Sequence, residues 1–131
     1  MERRKHILIW LVAATLIGSL LGAFVSSAIT SAGSKKIRRT ILLNFKPEAS
    51  PAEVQKILQD ATENITQIKG VRNVVAGPQT NQLAGFKYGI SMDFDDEAAL
   101  KAYREDSGHR ETHNRYVHLI EQSQISDIRE E

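Results

Sequence analysis

The sequence predicts an α+β domain of about 95 residues, preceded by an apolar N-terminal segment that is not part of the domain. Three observations carry this prediction. Residues 7–25 form a run of nineteen residues without a charged side chain. Residues 86–94 alternate between apolar and polar or small residues, which is typical of a strand with one buried face. Residues 50–53 combine several helix-start signals. The chain of 131 residues is long enough for one domain and an appendage.

The N-terminal segment, residues 1–36, is predicted to be a signal peptide or a transmembrane anchor with a linker. A basic start at residues 3–5 precedes the apolar run, and small polar residues 26–34 follow it. Nineteen apolar residues are long for a cleaved signal and close to the ~20 that span a bilayer. Basic residues on both sides leave the orientation open. We therefore expect an exported protein, either membrane-anchored through this segment or secreted, for example into a periplasm.

Composition excludes several classes of site. The chain has no cysteine, so it contains no disulfide and no cysteine-ligated metal. Residues 1–36 hold five of the 17 basic residues and one of the 16 acidic ones, which leaves residues 37–131 with a net charge of −3. Nucleic-acid binding is not expected of a mildly acidic domain without a basic stripe.

The domain, residues 37–131, opens with a strand and a helix. Ile41, Leu43 and Phe45 alternate with less apolar neighbours, which predicts a strand that ends before Pro47. The helix then begins with Ser50 as the N-cap, Pro51 at the first helical position and Glu53 completing a capping box. Its predicted buried stripe consists of Val54, Ile57, Leu58, Ala61, Ile65 and Ile68.

Two further strands and two helical stretches follow. The stretch "VRNVVAGPQT", residues 71–80, predicts a second strand that is stopped by its Gly-Pro pair. Residues 86–94 predict a third strand, whose inward side chains are Phe86, Tyr88, Ile90, Met92 and Phe94. Residues 95–106 predict a short helix, with Ser107 and Gly108 breaking it. Residues 109–122 predict that the helix resumes, and the remaining residues predict a weak last strand.

The stretch "HRETH", residues 109–113, resembles the H-E-x-x-H signature of zinc peptidases but does not match it. His109 and His113 lie on one helix face, together with Tyr116 and Ile120. Glu111, however, points away from that face, so it cannot serve as the general base of a zinc peptidase. A two-histidine metal site with a third ligand from elsewhere stays open; no metal or cofactor is expected.

The element order β-α-β-β-α-β predicts a ferredoxin-like fold, with a four-stranded antiparallel sheet and helices on one face. Its opposite face would be uncovered in so small a domain. We therefore expect a homodimer that forms through this face, which includes Lys87, Gly89, Ser91 and Asp93.

The domain resembles the stress-responsive A/B barrel (Dabb) family. The resemblance covers about residues 37–130 and rests on "ILLNFKPEAS", the Gly-Pro break, "YGISMDF" and "ALKAYREDSGH", in which Tyr103 precedes His109 by six residues. It implies a dimeric α+β barrel with a cleft between the helices and the sheet of each subunit. Plant polyketide cyclases of this fold use that Tyr/His pair in an aldol-type ring closure.

Four positions depart from the family pattern. The family commonly has His-Pro where Asp106 and Ser107 stand, and often has histidines where Arg39 and Tyr88 stand. Those two strand positions face the cleft by alternation. Arg39 is suited to holding a carboxylate or an enolate, so it and Tyr88 are candidate ligand-binding residues. Their alternatives are a membrane-proximal charge and a core aromatic residue.

The candidate catalytic residues are Tyr103 and His109, with His113 as a supporting ligand-binding residue. A histidine exchanges protons near neutral pH, and a tyrosine hydroxyl donates to a developing oxyanion. The alternatives are a core tyrosine and a histidine that caps a helix. We expect a stress-associated module that binds a small hydrophobic or polyketide-like ligand. The alternative is a cofactor-free acid–base enzyme of cyclase or isomerase type, and a quinol-oxidising relative of the same superfamily is a smaller third.

Overall fold

The computed structural model describes residues 35–131, which form one four-stranded antiparallel sheet and three α-helices. The strands lie in the order β2-β3-β1-β4. The elements, in chain order, are β1 (Ile37–Phe45), α1 (Pro51–Thr66), β2 (Val71–Pro78), β3 (Tyr88–Phe94), α2 (Glu97–Glu105), α3 (Ser107–Tyr116) and β4 (Ile120–Arg129). The predicted ferredoxin-like α+β fold is confirmed.

The core lies between the helices and one face of the sheet. The two central strands, β1 and β3, supply its floor through alternate residues, and Met92 and Phe94 are completely buried. Helix α1 covers this floor with Val54, Ile57, Leu58 and Ile65. The period-two pattern of β3 therefore arises as predicted, because one face of the strand packs against the helices and the other does not.

Helix α1 starts as predicted. The Ser50 hydroxyl accepts a hydrogen bond from the Glu53 backbone N–H at 3.2 Å, and the Glu53 carboxylate accepts one from the Ser50 backbone N–H at 2.9 Å. Pro51 occupies the first helical turn. Both reciprocal bonds satisfy backbone donors that a helix N-terminus otherwise leaves unpaired.

The boundaries of the second helical region differ from the prediction. The break falls at Asp106, whose backbone is extended (ψ 127°), and α3 already includes Ser107 and Gly108. Asp106 caps α3, because its carboxylate accepts a hydrogen bond from the His109 backbone N–H at 2.7 Å. The predicted helix as far as residue 122 is wrong, since Ile120 pairs with Phe45 and begins β4.

The predicted signal peptide or membrane anchor with its linker covers residues 1–36, of which residues 1–34 lie outside the described residues. Within residues 35–131, no helix is both long enough and apolar enough to cross a membrane.

Candidate functional site

A cavity of about 100 Å³ lies between α1, α3 and the sheet. Its walls are mostly apolar and come from β1, β3, α1 and the first residue of β4: Ile41, Leu43, Phe45, Ile57, Ala61, Ile65, Ile90 and Ile120. The polar groups come mainly from α2 and α3: Tyr103, His109, Thr112, His113 and Tyr116, with Asn64 from α1. An apolar enclosure with a few convergent polar groups is the usual form of a small-molecule site.

Tyr103 and His109 stack in this cavity. Their ring centroids are 4.1 Å apart with an angle of 31° between the planes, and Phe94 packs edge-on against Tyr103 at 5.3 Å. Tyr103 is buried, and His109 is half-buried. The stacking limits the rotation of both rings, so the phenol and the imidazole keep a defined relative position.

Burial gives these two groups opposite and complementary pKa shifts. It raises the pKa of the Tyr103 phenol, and the nearby Arg39 charge opposes that rise only in part. Burial also lowers the pKa of His109, helped by repulsion from His113 and opposed by Asp106. At neutral pH the phenol therefore keeps its proton and the imidazole is mostly neutral. The cavity thus combines a hydrogen-bond donor with a proton acceptor.

Arg39 lies on the helix-covered face of the sheet, as alternation predicts, but it does not line the cavity. Its Nε and Nη2 atoms donate to the two carboxylate oxygens of Asp127, both at 2.7 Å. The centre of its guanidinium is 5.3 Å from the Tyr103 ring centroid. The guanidinium edge formed by Nε and Nη2, which can bind a carboxylate through two hydrogen bonds, is therefore occupied by Asp127. The predicted contact of Arg39 with a ligand stays a prediction.

The structure separates the other two predicted residues. His113 lines the cavity but is exposed, which places it at the mouth. Tyr88 packs edge-on against Phe45, with ring centroids 5.4 Å apart, and lines a different groove between α1 and β2. Tyr103, His109 and His113 are thus brought together, whereas Tyr88 lies away from them.

Sequence reasoning missed two polar residues that line the cavity, Asn64 and Thr112, and Asp60, which lies beside it and bonds to Tyr116. The Asn64 side-chain amide donates to the Thr112 hydroxyl at 2.7 Å, and the Tyr116 hydroxyl donates to the Asp60 carboxylate at 2.5 Å. Hydrogen bonding from Tyr116, followed by Lys56, lowers the pKa of Asp60. No local signal marks these residues, because their partners lie on another helix.

Metal ligands do not converge in the described part of the chain. No group of three or more His, Asp or Glu side chains within residues 35–131 is arranged to hold a metal ion. His113, four residues after His109, faces the same cavity, and no third ligand joins the two histidines there.

Comparison with protein families and solved structures identifies relatives of this domain. A family model described as Stress responsive A/B Barrel Domain matches residues 37–130. A Dabb family protein with a ferredoxin-like fold from Mesorhizobium loti is 26% identical, with a TM-score of 0.65 over 72% of this chain and 96% of that chain. No protein of curated function matches the chain.

Two more distant solved structures share the fold. A dimeric ferredoxin-like protein of unknown function from Thermobifida fusca is 18% identical, with a TM-score of 0.65 over 72% of this chain and 91% of that chain. A hydroxynitrile lyase from Passiflora edulis is 12% identical, with a TM-score of 0.67 over 74% of this chain and 94% of that chain. The fold therefore occurs both in an enzyme and in proteins of unknown function.

Proposed function

The chain belongs to the stress responsive A/B barrel (Dabb) family, and from this premise we propose that it binds a small molecule in the cavity between helices and sheet. The observation that carries the proposal is the Tyr103–His109 pair, stacked at 4.1 Å in an otherwise apolar enclosure. An apolar enclosure with a few convergent polar groups suits a ligand whose one polar group is directed at these two rings.

The cavity limits what can bind. Its volume of about 100 Å³ is smaller than the ~150 Å³ apolar cavity that accommodates benzene. The enclosed part of the ligand is therefore small and apolar, with one carbonyl or hydroxyl group directed at Tyr103 and His109. A larger hydrophobic or polyketide-like ligand would extend outwards past His113 and Tyr116.

Replacing His109 tests this proposal. With acetone as the probe and the full chain in detergent, we expect His109→Gln to weaken binding at least tenfold and to leave the melting temperature nearly unchanged. The matched control is His118→Gln, since His118 is exposed and does not line the cavity. Equal affinities in all three proteins would refute a site at His109. A zinc-dependent rise in melting temperature that His109→Gln removes would favour a metal site instead.

The second candidate is a cofactor-free acid–base enzyme. The neutral imidazole of His109 is poised to accept a proton next to a carbonyl, and the protonated Tyr103 hydroxyl to donate to the oxyanion that forms. The opposite pKa shifts of the two groups favour this candidate. Proton–deuterium exchange at the α-carbon of small ketones, followed by NMR, tests it. Exchange should require both residues and should disappear in His109→Gln and in Tyr103→Phe.

We also propose that the domain forms a homodimer through the sheet face opposite the helices. Val75 and Ile128 are 67% and 65% exposed and lie on that face, next to Ser91 and Arg38 respectively. Two solved relatives, from Thermobifida fusca and from Jannaschia, are dimeric. Sedimentation should show a dimer at micromolar concentration that Val75→Glu with Ile128→Lys converts to monomer. A monomeric wild type would contradict this interface.

Export is proposed from residues 1–36 alone. Cell fractionation should find the full chain in the membrane or outside the cytoplasm, and deletion of these residues should retain the domain in the cytoplasm. Mass spectrometry of the N-terminus then distinguishes a retained anchor from a cleaved signal.

A further inference from the structure

Strand β1 carries two adjacent arginines that form similar ion pairs on opposite faces of the sheet. Arg38 donates two hydrogen bonds to Asp93, at 2.7 and 3.0 Å, on the face away from the helices. Arg39 donates two to Asp127, both at 2.7 Å, on the helix-covered face. The Arg38 side chain is 64% exposed and that of Arg39 only 8%. The geometry is the same, but the surroundings differ.

The guanidinium of Arg39 lies between a carboxylate and two aromatic rings. Asp127 accepts hydrogen bonds at one edge, while the centre of the guanidinium is 5.3 Å from the Tyr103 ring centroid and 5.8 Å from that of Phe94. Two parallel hydrogen bonds fix the plane of a guanidinium, which a single bond does not. A buried arginine without such a partner would move towards solvent. Asp127 therefore decides where the Arg39 charge lies.

We propose that Asp127 is a positioning residue of the cavity, which holds the Arg39 guanidinium against Tyr103 so that the phenol stays ready to donate a proton. Tyr103 in turn stacks on His109, so one chain of contacts runs from β4 to the cavity. The inference deepens the proposed function and rests on it only in treating the cavity as the place where Tyr103 acts.

The charges around Tyr103 determine in which direction the pKa of the phenol should change when Asp127 is neutralised. The Arg39 charge lowers the pKa of the phenol, whereas the Asp127 charge raises it by less. If Asp127 acted on the phenol directly, its neutralisation would lower that pKa. If it acts by holding Arg39, its neutralisation removes the larger effect of Arg39 and raises the pKa.

Other groups near Tyr103 do not reverse the direction of this change. His109 on α3 is neutral in the alkaline range in which a phenol titrates. Arg104 on α2 lies 3.9 Å from Asp127 and is 59% exposed, so solvent screens its charge. The parts of α1 and β3 that line the cavity contribute Ile57, Ala61, Asn64, Ile65 and Ile90, all uncharged.

Alkaline titration of the full chain in detergent, followed by tyrosinate absorbance near 295 nm, measures the effect. The chain has three tyrosines, and the difference from Tyr103→Phe isolates Tyr103. Asp127→Asn should move the Tyr103 midpoint to higher pH. The matched control, Asp93→Asn, removes the same charge from the same type of pair on the open face and should leave the midpoint unchanged. A midpoint that falls or stays in Asp127→Asn overturns the proposal.

Arg39→Lys keeps the test decisive if Asp127→Asn does not fold. Lysine cannot form the two parallel bonds, and it loses its own charge near the pH at which a phenol titrates, so the Tyr103 midpoint should again rise, and an unchanged midpoint overturns the proposal. Acetone binding separates the two hypotheses. A shifted midpoint in a protein that never binds the probe contradicts the proposed function alone, and binding with an unshifted midpoint contradicts the positioning role alone.

Discussion

Helices α1 and α3 wall the same cavity but are stabilised in different ways. Helix α1 has 16 residues, a complete capping box and four buried apolar side chains. Helix α3 has ten residues, "SGHRETHNRY", and Thr112 is its only buried residue. Helix α1 thus follows from its own amphipathic pattern, whereas α3 depends on polar contacts with its neighbours.

Those polar contacts start with the Asp106 cap and continue with two bonds to α1, from Asn64 to Thr112 and from Tyr116 to Asp60. The helix that carries His109 is therefore the one with the least apolar burial. Local stability varies within a domain, and sites that bind ligands tend to lie in its less stable parts. The comparison predicts that core substitutions in α1 act globally and that those in α3 act locally.

The largest effect is expected in α1. Ile65 is 2% exposed and lines both the core and the cavity, so Ile65→Ala should lower the free energy of unfolding by about 2–5 kcal/mol. Urea denaturation measures this loss, and Gln55→Ala at an exposed position of the same helix is the control. A loss below about 1 kcal/mol would contradict the dominance of apolar burial in α1.

Removing the caps sharpens the comparison. Replacing an N-cap by alanine costs about 0.5–2 kcal/mol. Asp106→Ala should fall at the upper end of this range and Ser50→Ala at the lower end, because α1 retains its apolar stripe and α3 has none. Hydrogen exchange should show lost protection confined to α3 in the Asp106 variant. Equal losses in the two variants would mean that both helices are equally self-supporting.

The hydrogen bond from Asn64 on α1 to Thr112 on α3 is expected to contribute about 1 kcal/mol to the free energy of unfolding. Thr112→Val keeps the shape of the side chain but removes the acceptor of the Asn64 bond, while Asn64 keeps its second bond to the Asp60 carbonyl. Thr62→Val is the control, since that hydroxyl bonds within α1 to the Leu58 carbonyl. Urea denaturation measures the free energy of unfolding of both variants. A loss in Thr112→Val that is no greater than the loss in Thr62→Val would contradict a stabilising role of this bond.

The smallest effect concerns pH and His109. Burial holds the folded pKa of His109 below its ordinary value of about 6.5. The unfolded chain therefore binds the proton first, and the contribution to stability present above pH 6.5 is lost as pH falls through the folded pKa. When the pH falls from 7.5 to 5.5, the melting temperature of His109→Gln should therefore fall by less than that of wild type. The melting temperature of His118→Gln should fall by as much as that of wild type. Identical slopes in wild type and His109→Gln would show that His109 titrates as it does in water.

Local sequence patterns were sufficient to predict those features of the structure that are caused by residues close together in the chain. The alternation in β3 requires one face to be buried, and the residues around Ser50 satisfy the donors of their own helix turn. Order of elements, fold class and the shared face of His109 and His113 follow from such short-range rules. Assignment of Tyr103 and His109 to one cavity came from the family resemblance together with helical phasing.

Only the tertiary structure decided the remaining features, because each depends on residues far apart in the chain. Asp127 lies opposite Arg39 through the register of β4 on β1, and a one-residue slip would place it on the other face. Pairing of Ile120 with Phe45 in the same ladder ends the helical region before the predicted point. Alternation correctly predicts that Tyr88 lies on the inward face of β3, but it does not predict which part of that face borders the cavity. Packing against Phe45 places Tyr88 beside a different groove.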